Sequence, residues 1–333
     1  MTAKAFIAPV RPTTYLDRIR EGFEFVDMAR LLNGRPRVFL KPNLTYPTYR
    51  PGVMTSIEAV EAAILAVKDF TPHVYIGDSD SGGYYPFSME KVYGEIGMYE
   101  LGARHGVEVV NLSHMPRTTV ELGGGDPIPL ELPALLTDEI DLLITLPVPK
   151  IHMYTGVSLT FKNQWGCIPE PKDRLRLHPR LPRVLLEVNK AVHAKAAIVD
   201  GRWGLTRSGP MLGDPVALDW VLVADDIGAG ARLCCELMQV PLQKINHLRY
   251  AERHDAIPPR SSIETNDDIA AFRRDRFYLR RRVMDYPGLF AFRSRAIGHL
   301  AFFSPLATFL HKLLYLFREP FYDYDEDARR GPH

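Results

Sequence analysis

The chain has 333 residues, 46% hydrophobic and 24% charged, which is enough for one large core or for two domains. Its 41 Lys and Arg balance 40 Asp and Glu, so no basic excess points to nucleic acid as a partner. Cys167, Cys234 and Cys235 make neither a disulfide framework nor a CxxC metal knuckle, and the opening MTAKAFIAPV lacks an apolar core of signal-peptide length; both features fit a cytoplasmic protein.

Ala5 to Val10 reads as a first strand. Tyr15 to Leu32 reads as an amphipathic helix, with Asn33-Gly34 as its stop. The short apolar run Arg37 to Leu40 is a buried strand that delivers Lys41-Pro42-Asn43 to its carboxyl end. Thr55-Ser56 caps a helix over Ile57 to Phe70. The strand Val74 to Ile76 ends in the run Gly77 to Gly83, which carries Asp78 and Asp80. Phe87 to His105 is helical, and Val107 to Val110 is a strand. Residues 112 to 133 carry a hairpin insertion around Gly123-Gly124-Gly125-Asp126. The alternation of nearly continuous apolar strands with helices predicts an α/β fold, a mainly parallel sheet with helices on both faces.

The stretch from Leu146 to His178 carries the densest chemistry. The strand Asp141 to Leu146 runs into Pro147 and Pro149, followed by Lys150 and His152, then Gly156. A β-prone run over Val157 to Phe161 leads to Lys162-Asn163, Trp165-Gly166 and, further on, His178. Leu181 to His193 is a helix, Ala196 to Val199 a strand ending in Asp200, Gly209 to Pro215 a tight loop, Leu218 to Ala224 a strand, and Ile227 to Met238 a helix. Ligands of open α/β sheets bind outside the carboxyl ends of the strands, so Lys41, Asn43, Asp78, Asp80, Lys150, His152 and Asp200 are expected on one rim. Lysines suit an anion; histidines and aspartates suit a divalent metal or proton transfer. The plainer alternative is that the lysines are solvated and the histidines pair with backbone. No Walker loop, dinucleotide fingerprint or nucleophile elbow is present.

Beyond Val240 the composition changes. Arginines crowd 273 to 282, and Ala296 to Phe317 is strongly apolar and aromatic, interrupted by His299, Pro305, His311 and Lys312. The expected organisation is an α/β domain over 1–240, a helical extension over 241–322 and a disordered tail over 323–333. Residues 289–317 are candidates for homodimer packing or for contact with a membrane surface, which would make the protein peripheral to a membrane.

Several motifs in order resemble the DUF362 family of uncharacterised proteins: Lys41-Pro42-Asn43, Gly77-Asp78-Ser79, Pro149-Lys150-Ile151-His152, Thr155-Gly156 with Lys162-Asn163, Trp165-Gly166, Val199-Asp200-Gly201, and Gly209-Pro210 with Gly213. Many such proteins carry a ferredoxin-like cysteine cluster; this chain has none, so no iron–sulfur cluster is expected. The order His152, Lys162, His178 is also similar to the motif of the nickel-pincer lactate racemase family. That resemblance implies Lys162 as the tether of the pincer nucleotide, His178 as a nickel ligand and His152 as a catalytic base. It departs from the family in lacking paired glycines before the lysine, and in having Asp78 where a second catalytic histidine is expected.

The resulting expectation is a metal-dependent enzyme, an isomerase or redox enzyme, acting on a small carboxylate or phosphate. His152 and Lys162 are its catalytic candidates. Lys41, Asn43, Lys150 and Asn163 are the anion-binding candidates. His152, His178, Asp78 and Asp200 are the candidates to hold a divalent metal. The alternative is a non-catalytic binding or scaffold protein that holds an anionic cofactor or partner.

Overall fold

The computed structural model describes residues 2–82, 86–281 and 283–316. Gly83, Arg282, Phe317 and the tail 323–333, all singled out above, lie outside the described residues. The chain begins with β1 (Ala3–Pro9), α1 (Tyr15–Phe25), β2 (Val38–Pro42), α2 (Ile57–Lys68), β3 (Val74–Asp78), α3 (Met89–Glu95), α4 (Met98–His105) and β4 (Glu108–Asn111). The hairpin of β5 (Arg117–Leu122) and β6 (Ile128–Pro133) precedes β7 (Leu142–Leu146), β8 (Lys150–His152), β9 (Gly156–Ser158), α5 (Pro171–Leu177) and α6 (Leu181–Ala191). Then follow β10 (Ala194–Thr206), β11 (Asp214–Ala224), α7 (Ile227–Leu237), α8 (Asn246–Arg253), β12 (Ile263–Thr265), α9 (Tyr286–Arg293), α10 (Arg295–Phe302) and α11 (Ala307–Tyr315).

The expected parallel core forms. The main sheet has the order β12-β1-β11-β10-β7-β2-β3-β4, and β10, β7, β2, β3 and β4 are parallel neighbours. β11 is antiparallel to both β1 and β10, and β12 lies parallel to β1 at the edge. Alternate residues face opposite sides of a strand. Phe39 joins a core with Leu143, Ala197 and residues of α6 and α7, whereas Val38 and Leu40 join a core with residues of α1 and α2. Both faces are therefore covered, which is why the strands read as unbroken apolar runs.

Three expected elements differ in detail. The helix expected over Tyr15 to Leu32 breaks at Asp27, whose φ of 54° is left-handed. The one over Phe87 to His105 breaks at Gly97, with φ 73°. The β-prone run after Gly156 leaves the strand after Ser158 and turns into a single helical turn, Thr160–Asn163. That turn matters, because it puts Lys162 and Asn163 beside the strand ends. The apolar run from Ala296 is split into α10 and α11 by the segment that holds Pro305, and among the described residues no helix is long and apolar enough to cross a membrane.

Candidate functional site

A cavity of about 240 Å³ opens at the carboxyl ends of β2 and β3, beside β8. Of the nine side chains selected from the sequence, eight line it: Lys41, Asn43, Asp78, Lys150, His152, Lys162, Asn163 and His178. The ninth, Asp200, does not. β10 continues through Thr206, so Asp200 sits mid-strand, and its carboxylate accepts from Ser56 N and Ser56 Oγ at 2.8 Å each and from the Tyr15 hydroxyl. It ties β10 to α1 and to the N-cap of α2.

The cavity floor is a connected polar network. Lys41, with 0% exposure, pairs with Asp78 Oδ2 at 2.7 Å and donates to Pro42 O at 2.9 Å. Asp78 also accepts from the backbone N–H of Leu44 and of Ser79. Lys150, also at 0%, donates to Asn43 Oδ1 and Val53 O at 2.7 Å each and to Thr45 Oγ1 at 3.3 Å. An ammonium has three N–H groups, and all three of Lys150's are taken, so Lys150 offers the cavity no free donor. The network continues from Asn43 to Asn163, from Asn163 to Lys41 O and Thr145, and from Thr145 to Gln164 and Asn189 on α6. The two asparagines thus lock the strand ends together. Lys41 was expected on the rim; it is instead wholly buried in the floor.

Lys162 is different. Its ammonium faces the cavity with no hydrogen-bond or ion-pair partner among the described residues. Burial, helped by the nearby Arg174 guanidinium, lowers its pKa to about 8. Burial also holds Lys150 well below the usual lysine range, reinforced by Lys162. Arg174 on α5 lines the same cavity and donates to Ser79 Oγ at 3.2 Å and to Asp80 O. It was not among the residues selected from the sequence. The signal available was its spacing from His178: four residues apart puts both on one helix face.

The two histidines carry opposite tautomers, assigned from their partners. His152 Nδ1 accepts the backbone N–H of Tyr154 at 3.1 Å and of Thr155 at 3.4 Å, so the ring proton of the neutral form sits on Nε2. His178 Nδ1 lies 2.6 Å from the Arg174 carbonyl and must donate to it, which leaves Nε2 with its lone pair. Both are kept neutral. Burial and then Lys162 push His152 well down, and burial takes His178 to about 3. His178 is set in an aromatic box, stacked on Phe292 at 3.9 Å and edge-on to Trp165 at 5.3 Å and Tyr154 at 6.2 Å.

Of the metal candidates, His152, His178 and Asp78 line the cavity and Asp200 does not. Among the described residues, the group whose ligand atoms converge within 4.8 Å is Asp80, Glu90 and His114. His114 Nδ1 lies 2.8 Å from Glu90, and Asn111 Nδ2 donates to Asp80 and Glu90 at 2.8 Å each. Asp80 stood at an expected strand end, but Glu90 and His114 were not selected from the sequence. They belong to α3 and the β4–β5 connection, which only the fold places beside β3.

Comparison with known proteins agrees with the family resemblance. A thylakoid-associated protein of Synechocystis sp. is 24% identical over 246 residues, 68% of this chain and 70% of that protein. Among solved structures, the lactate racemase apoprotein of Thermoanaerobacterium thermosaccharolyticum superposes with a TM-score of 0.47 at 14% identity, over 71% of this chain. This chain spans only 56% of that racemase chain. A Thermotoga maritima protein gives a TM-score of 0.38 at 12% identity, over 57% of this chain and 50% of its own. The family model described as a domain of unknown function (DUF362) matches residues 38–236, which hold all of the strand-end motifs, and the chain belongs to that family.

Proposed function

We propose that the chain is an enzyme that holds a small carboxylate- or phosphate-bearing anion in this cavity and moves a proton on it. One observation carries the reading: among the described residues, Lys41, Lys150, Lys162 and Arg174 line the cavity against the single carboxylate of Asp78. Such an excess of buried cations is unfavourable until an anion offsets it. Lys162 and the His152 Nε2–H are the available donors to that anion. Lys162, with its pKa near 8, is the group placed to exchange a proton near neutral pH, and the His178 Nε2 lone pair is a hydrogen-bond acceptor beside the anion.

For a divalent cation, the second element of the expected chemistry, Asp80, Glu90 and His114 are a candidate ligand set beside the cavity residue Ser81. The pincer nucleotide implied by the racemase motif fits in part. The unpartnered Lys162 amine suits a tether, whereas His152 is committed as a donor and does not suit the base role.

The test is calorimetric titration with inorganic phosphate and a panel of small carboxylates, combined with proton–deuterium exchange of those carboxylates followed by NMR. Lys162→Met is expected to weaken binding roughly tenfold to a hundredfold, the worth of one charge-assisted hydrogen bond. Wild-type binding is expected to fall as the pH passes about 8 and Lys162 loses its proton. Binding that is indifferent to both changes sinks the anion site. Binding without exchange of any carboxylate returns the protein to the non-catalytic holder.

A further inference from the structure

The cavity is roofed by the C-terminal helices. Phe292 of α9, Phe302 of α10 and His311 of α11 line it from above, opposite the cationic floor. These helices bury little else. Phe290 is 58% exposed, Leu306 56%, Phe309 64% and Leu316 76%. Among the described residues, nine of the thirteen exposed large hydrophobic side chains fall within 286–316. Singly exposed apolar residues are ordinary, but concentration of most of a molecule's exposed apolar side chains on one short segment marks an interaction surface.

The charges on this segment select the partner. Residues 286–316 contain Arg293, Arg295 and Lys312, all exposed, and no Asp or Glu. A second copy of the chain would bring the same cations against them, with no acid in the segment to receive them. A bilayer with anionic headgroups takes both features at once: acyl boundary for the apolar side chains and headgroup charge for the basic ones. The helices of eight, eight and nine residues are far too short to span a bilayer, which leaves an in-plane orientation.

We propose that α9, α10 and α11 dock the protein on an anionic membrane surface and that the cavity they roof takes the anionic end of an amphiphile from that membrane. The cavity half of this rests on the anion-binding reading above, because the floor supplies the cations and the aromatic roof the apolar contact. The docking half rests only on the outer surface of the helices.

Flotation of the full chain with vesicles tests the docking. Wild type is expected to float with phosphatidylcholine vesicles containing phosphatidylglycerol and to remain unbound with phosphatidylcholine alone. L306E/F309E/L316E changes only exposed side chains and is expected to abolish flotation. R295E/K312E is expected to lower it in a salt-dependent way. Lys162→Met is expected to float as wild type does while binding phosphate roughly tenfold to a hundredfold more weakly, so failure of the anion site and failure of docking give different results. The idea is overturned if wild type floats with neither vesicle, or if the triple variant floats unchanged. It is equally overturned if the triple variant turns a wild-type dimer into a monomer by light scattering, which assigns the surface to a second copy. For the cavity, a water-soluble short-chain phosphatidic acid should bind more tightly than inorganic phosphate and compete with it; equal affinity removes the amphiphile from the proposal.

Discussion

At residue scale the site depends on how closely the Trp165-Gly166 turn approaches the floor. A Cβ at position 166 would lie 2.4 Å from Asp78 Oδ1 and 2.9 Å from Lys41 Nζ. Neither group can retreat, since Lys41 is also bonded to Pro42 O and Asp78 to two backbone amides. Gly166→Ala is therefore expected to cost about 1–3 kcal/mol of stability in urea denaturation, the usual range for overpacking. It should weaken phosphate binding as well, because the ion pair must shift. Gly94→Ala, with nothing within 4 Å of the added Cβ, is the control and should be neutral or stabilising. A glycine effect no larger than the control's would mean that the floor is soft. This dependence is invisible in the sequence: Trp165-Gly166 was legible as a motif, but not as the place where a side chain would strike the ion pair. Lys150 shows the same limit from the other side. Its charge and its place after a strand were legible, yet its three neutral acceptors come from residues 43, 45 and 53, which only the folded chain brings near.

At the scale of elements, Asp200 shows what a strand end means. The apolar run ends at Val199, which predicts Asp200 on the rim; the hairpin with β11 prolongs the strand to Thr206. The carboxylate then becomes a junction, holding the Tyr15 hydroxyl at the start of α1 and both polar groups of Ser56, which caps α2 through Ala59 N. Asp200→Ala leaves a buried hydroxyl and a helix cap without their acceptor. The expected loss is about 2–4 kcal/mol of stability by chemical denaturation, with the affinity of the remaining folded protein for phosphate unchanged. Weaker binding at full stability would instead place Asp200 in the site. The parallel strands themselves were legible because burial on both faces leaves runs of apolar residues. The helix breaks at Asp27 and Gly97 were not, because an apolar period continues across each of them while one residue turns left-handed.

For the molecule as a whole, the concentration of neutral buried histidines sets the response to acid. His152 is held well below the ordinary histidine value by burial and by Lys162, and burial takes His178 and His247 to about 3. His247, on α8, is 2% exposed, and its Nε2 has no hydrogen-bond partner among the described residues. In the unfolded chain each imidazole takes up its proton near pH 6.5; in the folded chain His178 and His247 do so only near 3, and His152 well below its ordinary value. Between those values the unfolded state binds more protons, so the histidine contribution to stability is complete above about 6.5 and is lost steadily as the pH falls toward 3. Lys162 acts on the alkaline side with the same sign. Its folded value of about 8 lies below the ordinary 10.5, so between the two the unfolded state again holds the extra proton and stability rises with pH. The urea midpoint should therefore fall from pH 6.5 to pH 4. His247→Leu should flatten that fall by an amount on the order of a few kcal/mol, since one unit of pKa is worth about 1.4 kcal/mol. A bound anion changes the alkaline side, because it favours charged Lys162. Saturating phosphate should raise the midpoint at pH 7 and do so much less at pH 9.5, where the lysine is neutral in the folded chain. An acid limb that His247→Leu leaves unchanged would move the titration to other groups. Equal stabilisation by phosphate at both pH values would separate Lys162 from the anion.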